Sequence, residues 1–240
     1  MAFKFTGTNS YIDCGNPAVL QITGNITVAA WIQFTTSQSN KPIVAKWGSS
    51  GAYALLVDST ANKISFYLRV SSTSKGAVST KTYNNNRWCF VVGRFNGANV
   101  LLTIFDSKGN IVEDIIGSAT AGPIDNPAST PIRIATYSNS TGAFTGIISD
   151  VFIINRCLSL EDLKSLMNKK YLHKLSGYWP LTKNAHDYSG NGNNGTITAA
   201  SVANPLFLRT RKLLDRKFTS TMTTAYPTVF GWPAVWGMIR

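Results

Sequence analysis

Short apolar or alternating runs, each closed by a polar turn, recur through the first 155 residues of this chain. They fall at 4–5, 26–34, 42–46, 52–57, 63–70, 88–95, 100–106, 132–135 and 146–154. Between them lie stretches such as TTSQSN, GSSG, DSTAN, YNNN, FNGAN, DSKGN and TYSNSTG. Asn-Gly at 96–97 and Lys-Gly-Asn at 108–110 separate β-rich runs, which is a hairpin signal. Many short strands at close spacing predict a two-sheet sandwich or a barrel, and they exclude a helical bundle.

Composition agrees with that reading. The chain is 44% hydrophobic, enough for a sizeable core, but only 14% charged. Soluble domains usually carry about a quarter charged residues. Ser, Thr, Asn and Gly replace the missing charge, as expected for strands joined by polar turns. No stretch reaches the ~18 apolar residues of a membrane span, so no membrane partner is expected. The start of the chain lacks the charged, apolar and small-residue regions of a secretory signal. The three cysteines, Cys14, Cys89 and Cys157, have no metal-ligand spacing. Their odd number favours free thiols and a reducing place of synthesis.

One helix is predicted, over 159–170. Ser159 stands as its N-cap with Asp162 three residues on, close to a capping box. Leu163, Leu166 and Met167 recur at helical spacing, and Lys164, Lys169 and Lys170 fall toward the C-terminal end, where cations complement the helix dipole.

Read together, the runs resemble the laminin-G-like branch of the concanavalin A-like jelly rolls. FTGTNSYIDCGN at 5–16 is similar to that family's F-x-G-x-x-x-Y-I-D opening. ITVAAWIQF at 26–34 is similar to its F-T-V-S-A-W-V strand, and IVAKWGSSGAYALLV at 43–57 to the hairpin that follows. NRWCFVVGRFNGANVLLTIFD at 86–106 resembles its W-x-H-V-A stretch and the strand beyond, with Cys89 where the family has His. FTGIISDVFIINRCLSLEDLKSLM at 144–167 resembles its closing block. The resemblance implies an all-β, two-sheet antiparallel jelly-roll sandwich with one short helix and a C-terminal arm.

One block is out of order. GYWPLTKNAHDYSGNGNNGT at 177–196 resembles a segment that in the family precedes the F-x-G opening. The chain thus reads as circularly permuted, a rearrangement that adjacent termini tolerate. A second jelly roll beginning at 177 is the competing reading, but too few residues follow to build one. The expected domain is 1–200, with 177–197 supplying a permuted first strand that closes the sandwich beside the N-terminal one. Residues 201–240 remain as an arm.

Chemistry is sparse. Glycosidic hydrolysis needs two carboxylates across the bond. The chain has two glutamates, Glu113 and Glu161. Glu161 falls in the helix's first turn, and Glu113 has only Asp114 beside it, which a strand turns to the opposite face. No Ser/His/Asp arrangement can be built around His173 and His186, so no enzyme is expected. Calcium wants several oxygen ligands. Asp187, with Asn191, Asn193 and Asn194, is the candidate for it, and an Asx turn is the alternative. Asp125 and Asn126 also offer oxygens. Sugars are read by exposed aromatic faces beside amides and hydroxyls. The candidate glycan-binding residues are Trp47, Tyr137 and Asn139, with burial at a sandwich edge or subunit interface as the alternative. Trp31 and Trp88 are assigned to strands and the core.

The arm concentrates charge. The whole chain carries a formal +12, and residues 161–240, a third of its length, hold an excess of seven positive charges. Arg209, Arg211, Lys212, Arg216 and Lys217 lie together, followed by Trp232 and Trp236. Such a cluster attracts an acidic surface, and an aromatic tail needs cover. These seven residues are the candidate partner anchor. Nucleic acid is disfavoured because the basic segment lacks interleaved aromatics and any recognition motif. Similar jelly rolls occur in phage structural proteins. The resemblance therefore implies a non-enzymatic virion subunit, made in the host cytoplasm. It would decorate a capsid or attach to a tail, form a homo-oligomer, contact other virion proteins and bind surface glycans. An extracellular carbohydrate-binding module or adhesin of a cell is the alternative.

Overall fold

The computed structural model describes residues 1–203, apart from 8, 49, 171 and 172. β1 (Ala2–Thr6) and β2 (Tyr11–Asp13) open the chain, and a single 3-10 turn, Ala18–Leu20, leads toward β3 (Ile26–Gln33). β4 (Lys41–Trp47), β5 (Gly51–Val57), β6 (Ile64–Val70) and β7 (Thr73–Val78) follow as consecutive hairpins. β8 (Cys89–Phe95), β9 (Asn99–Asp106) and β10 (Ile111–Ala119) are likewise paired in sequence. Then come β11 (Arg133–Ile134), β12 (Thr145–Ile154), the helix α1 (Leu160–Met167), β13 (Gly177–Trp179), β14 (Thr196–Thr198) and β15 (Ser201–Ala203).

Among the described residues the strands form two sheets. The first runs β10-β9-β8-β3-β12-β1-β15, with β13 also on β12, and the second runs β14-β2-β11-β4-β5-β6-β7. The fold is an all-β antiparallel sandwich with one short α-helix. Period-two alternation turns one face of each strand inward. On β6, Phe66, Leu68 and Val70 enter the inter-sheet core while Tyr67 and Arg69 face out. On β3, Val28, Ala30 and Ile32 meet them from the other sheet.

A second apolar layer covers the outside of the first sheet. Ala29, Phe90, Val92, Phe105 and Phe152 point away from the main core and pack with Leu158, Leu163 and Leu166 from α1 and its approach. Trp31 is only partly buried against this layer, and Trp88 precedes β8 rather than lying in it. Trp88 is buried as expected of a core residue, and the two indoles meet edge to face at 6.5 Å. The helix is shorter than its sequence pattern. Ser159 caps it by accepting the Asp162 backbone N–H at 3.1 Å. Lys169 then takes φ +58, and its ammonium leaves the helix end for the Asp150 carboxylate at 2.7 Å.

The out-of-order segment is part of both sheets. Asp150, at φ +47, bulges β12 and divides it. The N-terminal half of β12 pairs with β1 and the C-terminal half with β13, both on the edge opposite β3. The segment therefore lies end to end with β1 rather than beside it. Along that edge Gly177, Tyr178 and Trp179 are followed by Ala2, Phe3 and Lys4, as if one strand had been cut. The side-by-side neighbour of β1 is instead β15, and β14 flanks β2. Two short strands joined at 199–200 thus cover the adjacent edges of both sheets.

Candidate functional site

Among the described residues, the outer face of the second sheet is left open where β4, β5 and β6 run side by side. Ala45, Ala54 and Leu56 form its buried floor, and Trp47, Tyr67 and Tyr137 rise around them, each partly buried. The indole of Trp47 lies flat over the neighbouring strand at Gly51, where a Cβ would come within 2.3 Å of the ring. The phenol of Tyr67 covers Gly76 of β7 at the same separation. Both rings need a glycine opposite them to lie down on the sheet.

Tyr137 comes from the turn after β11. Ser138 laces that turn to the end of β4: its backbone N–H donates to the Trp47 carbonyl at 2.8 Å, and its Oγ accepts the Trp47 N–H at 3.0 Å. The two aromatics are thereby held in fixed relation. Together with Tyr67, Asn40, Asp58 and Ser59 they line a depression of about 220 Å³. Asp58 is nearly inaccessible; it accepts from the Tyr67 hydroxyl at 3.2 Å, the Thr60 N–H at 2.9 Å and the Ser59 hydroxyl at 3.2 Å. Burial, and then the Asp58 charge and hydrogen bond, push the Tyr67 phenol up to about 12. Burial and Asp58 also raise Tyr137. Both phenols therefore stay protonated at neutral pH, as hydrogen-bonding groups rather than acids. The Arg69 guanidinium stands 5.8 Å from the centre of the Trp47 ring.

Of the residues expected to bind glycan, the structure brings Trp47 and Tyr137 together. Asn139 sits at the tip of the same turn, where its Oδ1 accepts from the Thr141 N–H and hydroxyl, and it does not line the depression. Tyr67 and Asp58 were missed. The signal for Tyr67 was present, since Tyr67 and Arg69 alternate with Phe66, Leu68 and Val70 and so had to face outward.

Asp187 is a structural hub. Its Oδ1 accepts the backbone N–H groups of Tyr178 and Ser189, each at 2.9 Å. Its Oδ2 accepts from the Ser189 hydroxyl, the Asn193 N–H and the Asn193 amide between 2.8 and 3.0 Å. An ion there would face N–H donors instead of oxygens, so the calcium assignment does not fit and the Asx turn does. Among the described residues no three or more His, Cys, Asp and Glu side chains gather as metal ligands. Asp125 accepts the Ser72 N–H at 2.8 Å, and the Asn126 amide donates to Gln21 at 3.1 Å. Glu113 is consumed similarly, receiving Tyr83, Thr80 and Lys81 on its two oxygens.

Beneath Trp47, Lys46 points the other way and is fully buried. Its ammonium donates to Asn16 Oδ1 at 2.9 Å, the Thr130 carbonyl at 2.7 Å and the Pro127 carbonyl at 3.2 Å. Burial without a carboxylate partner lowers it to about 8. The anchor residues Arg209, Arg211, Lys212, Arg216, Lys217, Trp232 and Trp236 lie outside the described residues.

Comparison with known proteins places this geometry. A protein of Bacteroides ovatus described as carbohydrate-binding superposes with a TM-score of 0.63 at 16% identity, over 85% of this chain and 60% of that one. The LG1–3 region of the laminin alpha2 chain superposes at 0.53 with 13% identity, over 67% of this chain and 32% of that one. Likenesses at these identities speak for the fold. In sequence, the zebrafish (Danio rerio) adhesion G-protein coupled receptor V1 is 26% identical over 170 residues, 67% of this chain. The chain spans about 3% of that receptor's length. A laminin G model described as the concanavalin A-like lectin/glucanases superfamily matches residues 6–164. With more than half its residues matched and the sandwich in place, the chain belongs to the concanavalin A-like lectin/glucanases superfamily, as a lectin-like domain of laminin G type.

Proposed function

We infer that the open face of the second sheet binds carbohydrate without cleaving it. The observation that carries this is the trio Trp47, Tyr67 and Tyr137 around a depression of about 220 Å³ edged by Asp58 and Asn40. Flat apolar rings beside the Asn40 amide and the tyrosine hydroxyls suit a sugar, whose C–H faces stack while its hydroxyls hydrogen-bond; the buried Asp58 serves by holding the Tyr67 phenol in place. The volume lies below the ~300–1,000 Å³ usual for drug-sized ligands, which suits one sugar ring. The engagement of Glu113 by four donors, and of Glu161 and Asp162 in the first turn of α1, supports a non-catalytic role. Glycan-array screening followed by calorimetry tests the reading. Trp47→Ala is expected to weaken the best glycan about tenfold or more, some 1.4 kcal/mol per decade, with the thermal transition of the domain retained. Unchanged affinity in that variant would refute it.

In the finer reading the module is a virion subunit, a homo-oligomer held to other particle proteins by its arm. The residues supporting this are the basic run at 209–217 with Trp232 and Trp236. Deleting 205–240 should leave a folded sandwich that no longer enters particles; normal incorporation would sink the anchor. The receptor relative favours the alternative, an adhesin module on a cell surface.

A further inference from the structure

The aromatic depression differs in sign from the chain around it. The chain carries a formal +12, yet among the described residues no Lys or Arg lines the depression, and Asp58 is the one charged residue in its wall. Asp58 takes part in no ion pair among the described residues, whereas Asp13, Asp114 and Asp150 each meet a cation. It is only 3% exposed. The Tyr67, Thr60 and Ser59 hydrogen bonds hold its oxygens but leave its charge uncancelled. Burial first, and then the Asp58 charge, raise the Tyr137 phenol, so that charge reaches across the depression. A counter-charge brought close to it out of water is favoured. The Arg69 guanidinium, 5.8 Å from the centre of the Trp47 ring, stands outside the lining.

Hydrogen-bond polarity points the same way. An ionised carboxylate only accepts, so the Tyr67 hydroxyl directs its single proton to Asp58. Toward a ligand the phenol oxygen then offers lone pairs and no donor, and the group it meets has to donate. The ring faces add a third preference, because the π cloud of Trp or Tyr attracts a cation within about 6 Å of the ring centre. An ammonium meets every condition: it is positive, it has donors only and it sits against rings. A carboxylate, a sulfate or an acetamido carbonyl would set lone pairs against lone pairs.

We propose that the depression selects an amino sugar whose amine is free and protonated, its ammonium set among Trp47, Tyr67 and Tyr137 beside Asp58. The proposal rests on the carbohydrate reading of this face and adds a positive charge to the sugar. The amine donates to the Tyr67 oxygen and offsets the Asp58 charge through space, while the C–H face of the sugar lies on the remaining ring surface. N-acetylation removes both the charge and most of the donors.

The test titrates the full chain calorimetrically at mildly acid pH, where the sugar amine is protonated. The trimer of glucosamine, its N-acetylated counterpart and cellotriose are compared; they share ring and linkage and differ in one group per sugar. The glucosamine trimer is expected to bind about tenfold or more tighter than either neutral trimer, as for a cation–π contact joined by a charged hydrogen bond. The net +12 of the chain repels this ligand, so such a preference has to come from the site. Asp58→Asn, which keeps an acceptor for the Tyr67 hydroxyl, should erase the preference and leave the neutral trimers bound as before. An amine preference that persists in Asp58→Asn would overturn the proposal. So would wild-type binding that is equal for the three or favours the N-acetylated trimer, an outcome read without any variant. Trp47→Ala separates this from the carbohydrate reading. Neutral trimers that bind through Trp47 with no amine preference keep the sugar site and reject the amine. A glucosamine trimer that binds Trp47→Ala as tightly as wild type rejects both.

Discussion

Trp179 offers the sharpest test of whether residues 177–203 are structural or an appendage. The indole is fully buried in the inter-sheet core, and its Nε1–H donates to the Asn193 carbonyl at 2.9 Å. Truncation to alanine at such a position costs about 3–5 kcal/mol from lost transfer energy and the cavity left behind. The broken hydrogen bond adds about 1 kcal/mol. A total of ~4–6 kcal/mol is a large part of the ~5–15 kcal/mol that stabilises a domain. For a domain of this size it corresponds to a fall in Tm of roughly 10–20 °C. Trp179→Phe, which keeps most of the volume and loses only the donor, should fall by a few degrees. The assay is thermal unfolding together with amide hydrogen exchange across the whole chain. If the segment is integral, exchange accelerates in β1, β3 and β12 as well as in β13, because all lie in one sheet. A shift below about 3 °C, with faster exchange confined to 177–203, would refute the reasoning and make the segment peripheral.

Two further outcomes follow from the buried polar groups. Lys46 has its pKa lowered in the folded state, so between about pH 8 and its ordinary value near 10.5 the unfolded chain binds more protons. Lys46 therefore contributes stability that rises with pH across that window, while the buried thiols of Cys14 and Cys89, held above their ordinary value, contribute the opposite slope; in urea denaturation wild type should gain on Lys46→Met as pH rises through the window, and equal slopes would contradict it. Asp187→Ala removes five hydrogen bonds from one turn and should lower Tm by several degrees or more, whereas calcium or a chelator should leave wild-type Tm unmoved. A calcium-dependent rise in Tm would restore the metal reading.

The runs legible in the sequence were those with a clear inward face. The run at 63–70 announced β6 because Phe66, Leu68 and Val70 alternate with polar neighbours, and Ser159 announced the helix start. β7 and β10 gave no such signal. β7 reads TSKGAV, with Ala77 as its buried apolar residue, because Gly76 is there to receive the Tyr67 ring. β10 reads IVEDIIGSA; two register shifts break its period, and its buried residue is Glu113, held by the 80–83 segment. The same limit governed the site. Trp47 and Tyr137 stand out as aromatics in polar turns, but Asn139 is near Tyr137 in sequence only, and its Oδ1 is tied to Thr141. Asp58 could not be found from its neighbours in sequence, since its role depends on the register that sets β5 against β6. Lys46 was invisible for a related reason: its oxygen cage is assembled from Asn16, Pro127 and Thr130, far apart along the chain.

The two faces of this sandwich are free to change at different rates. The first sheet carries its aromatic layer under α1, so a substitution at Phe90, Phe105 or Phe152 disturbs packing on the far side of the core from the Trp47–Tyr67–Tyr137 depression. Among the described residues the second sheet has no such cover over β4, β5 and β6, and its outward residues stand on a floor of Ala45, Ala54 and Leu56 outside the main core. Selection on ligand preference can therefore rewrite positions such as 47, 67 and 69 without touching the inter-sheet core, the cost being the ring contacts with Gly51 and Gly76 and the Tyr67–Asp58 hydrogen bond. A library randomised on that face alone should yield mostly folded proteins, which makes the domain a practical scaffold for new recognition.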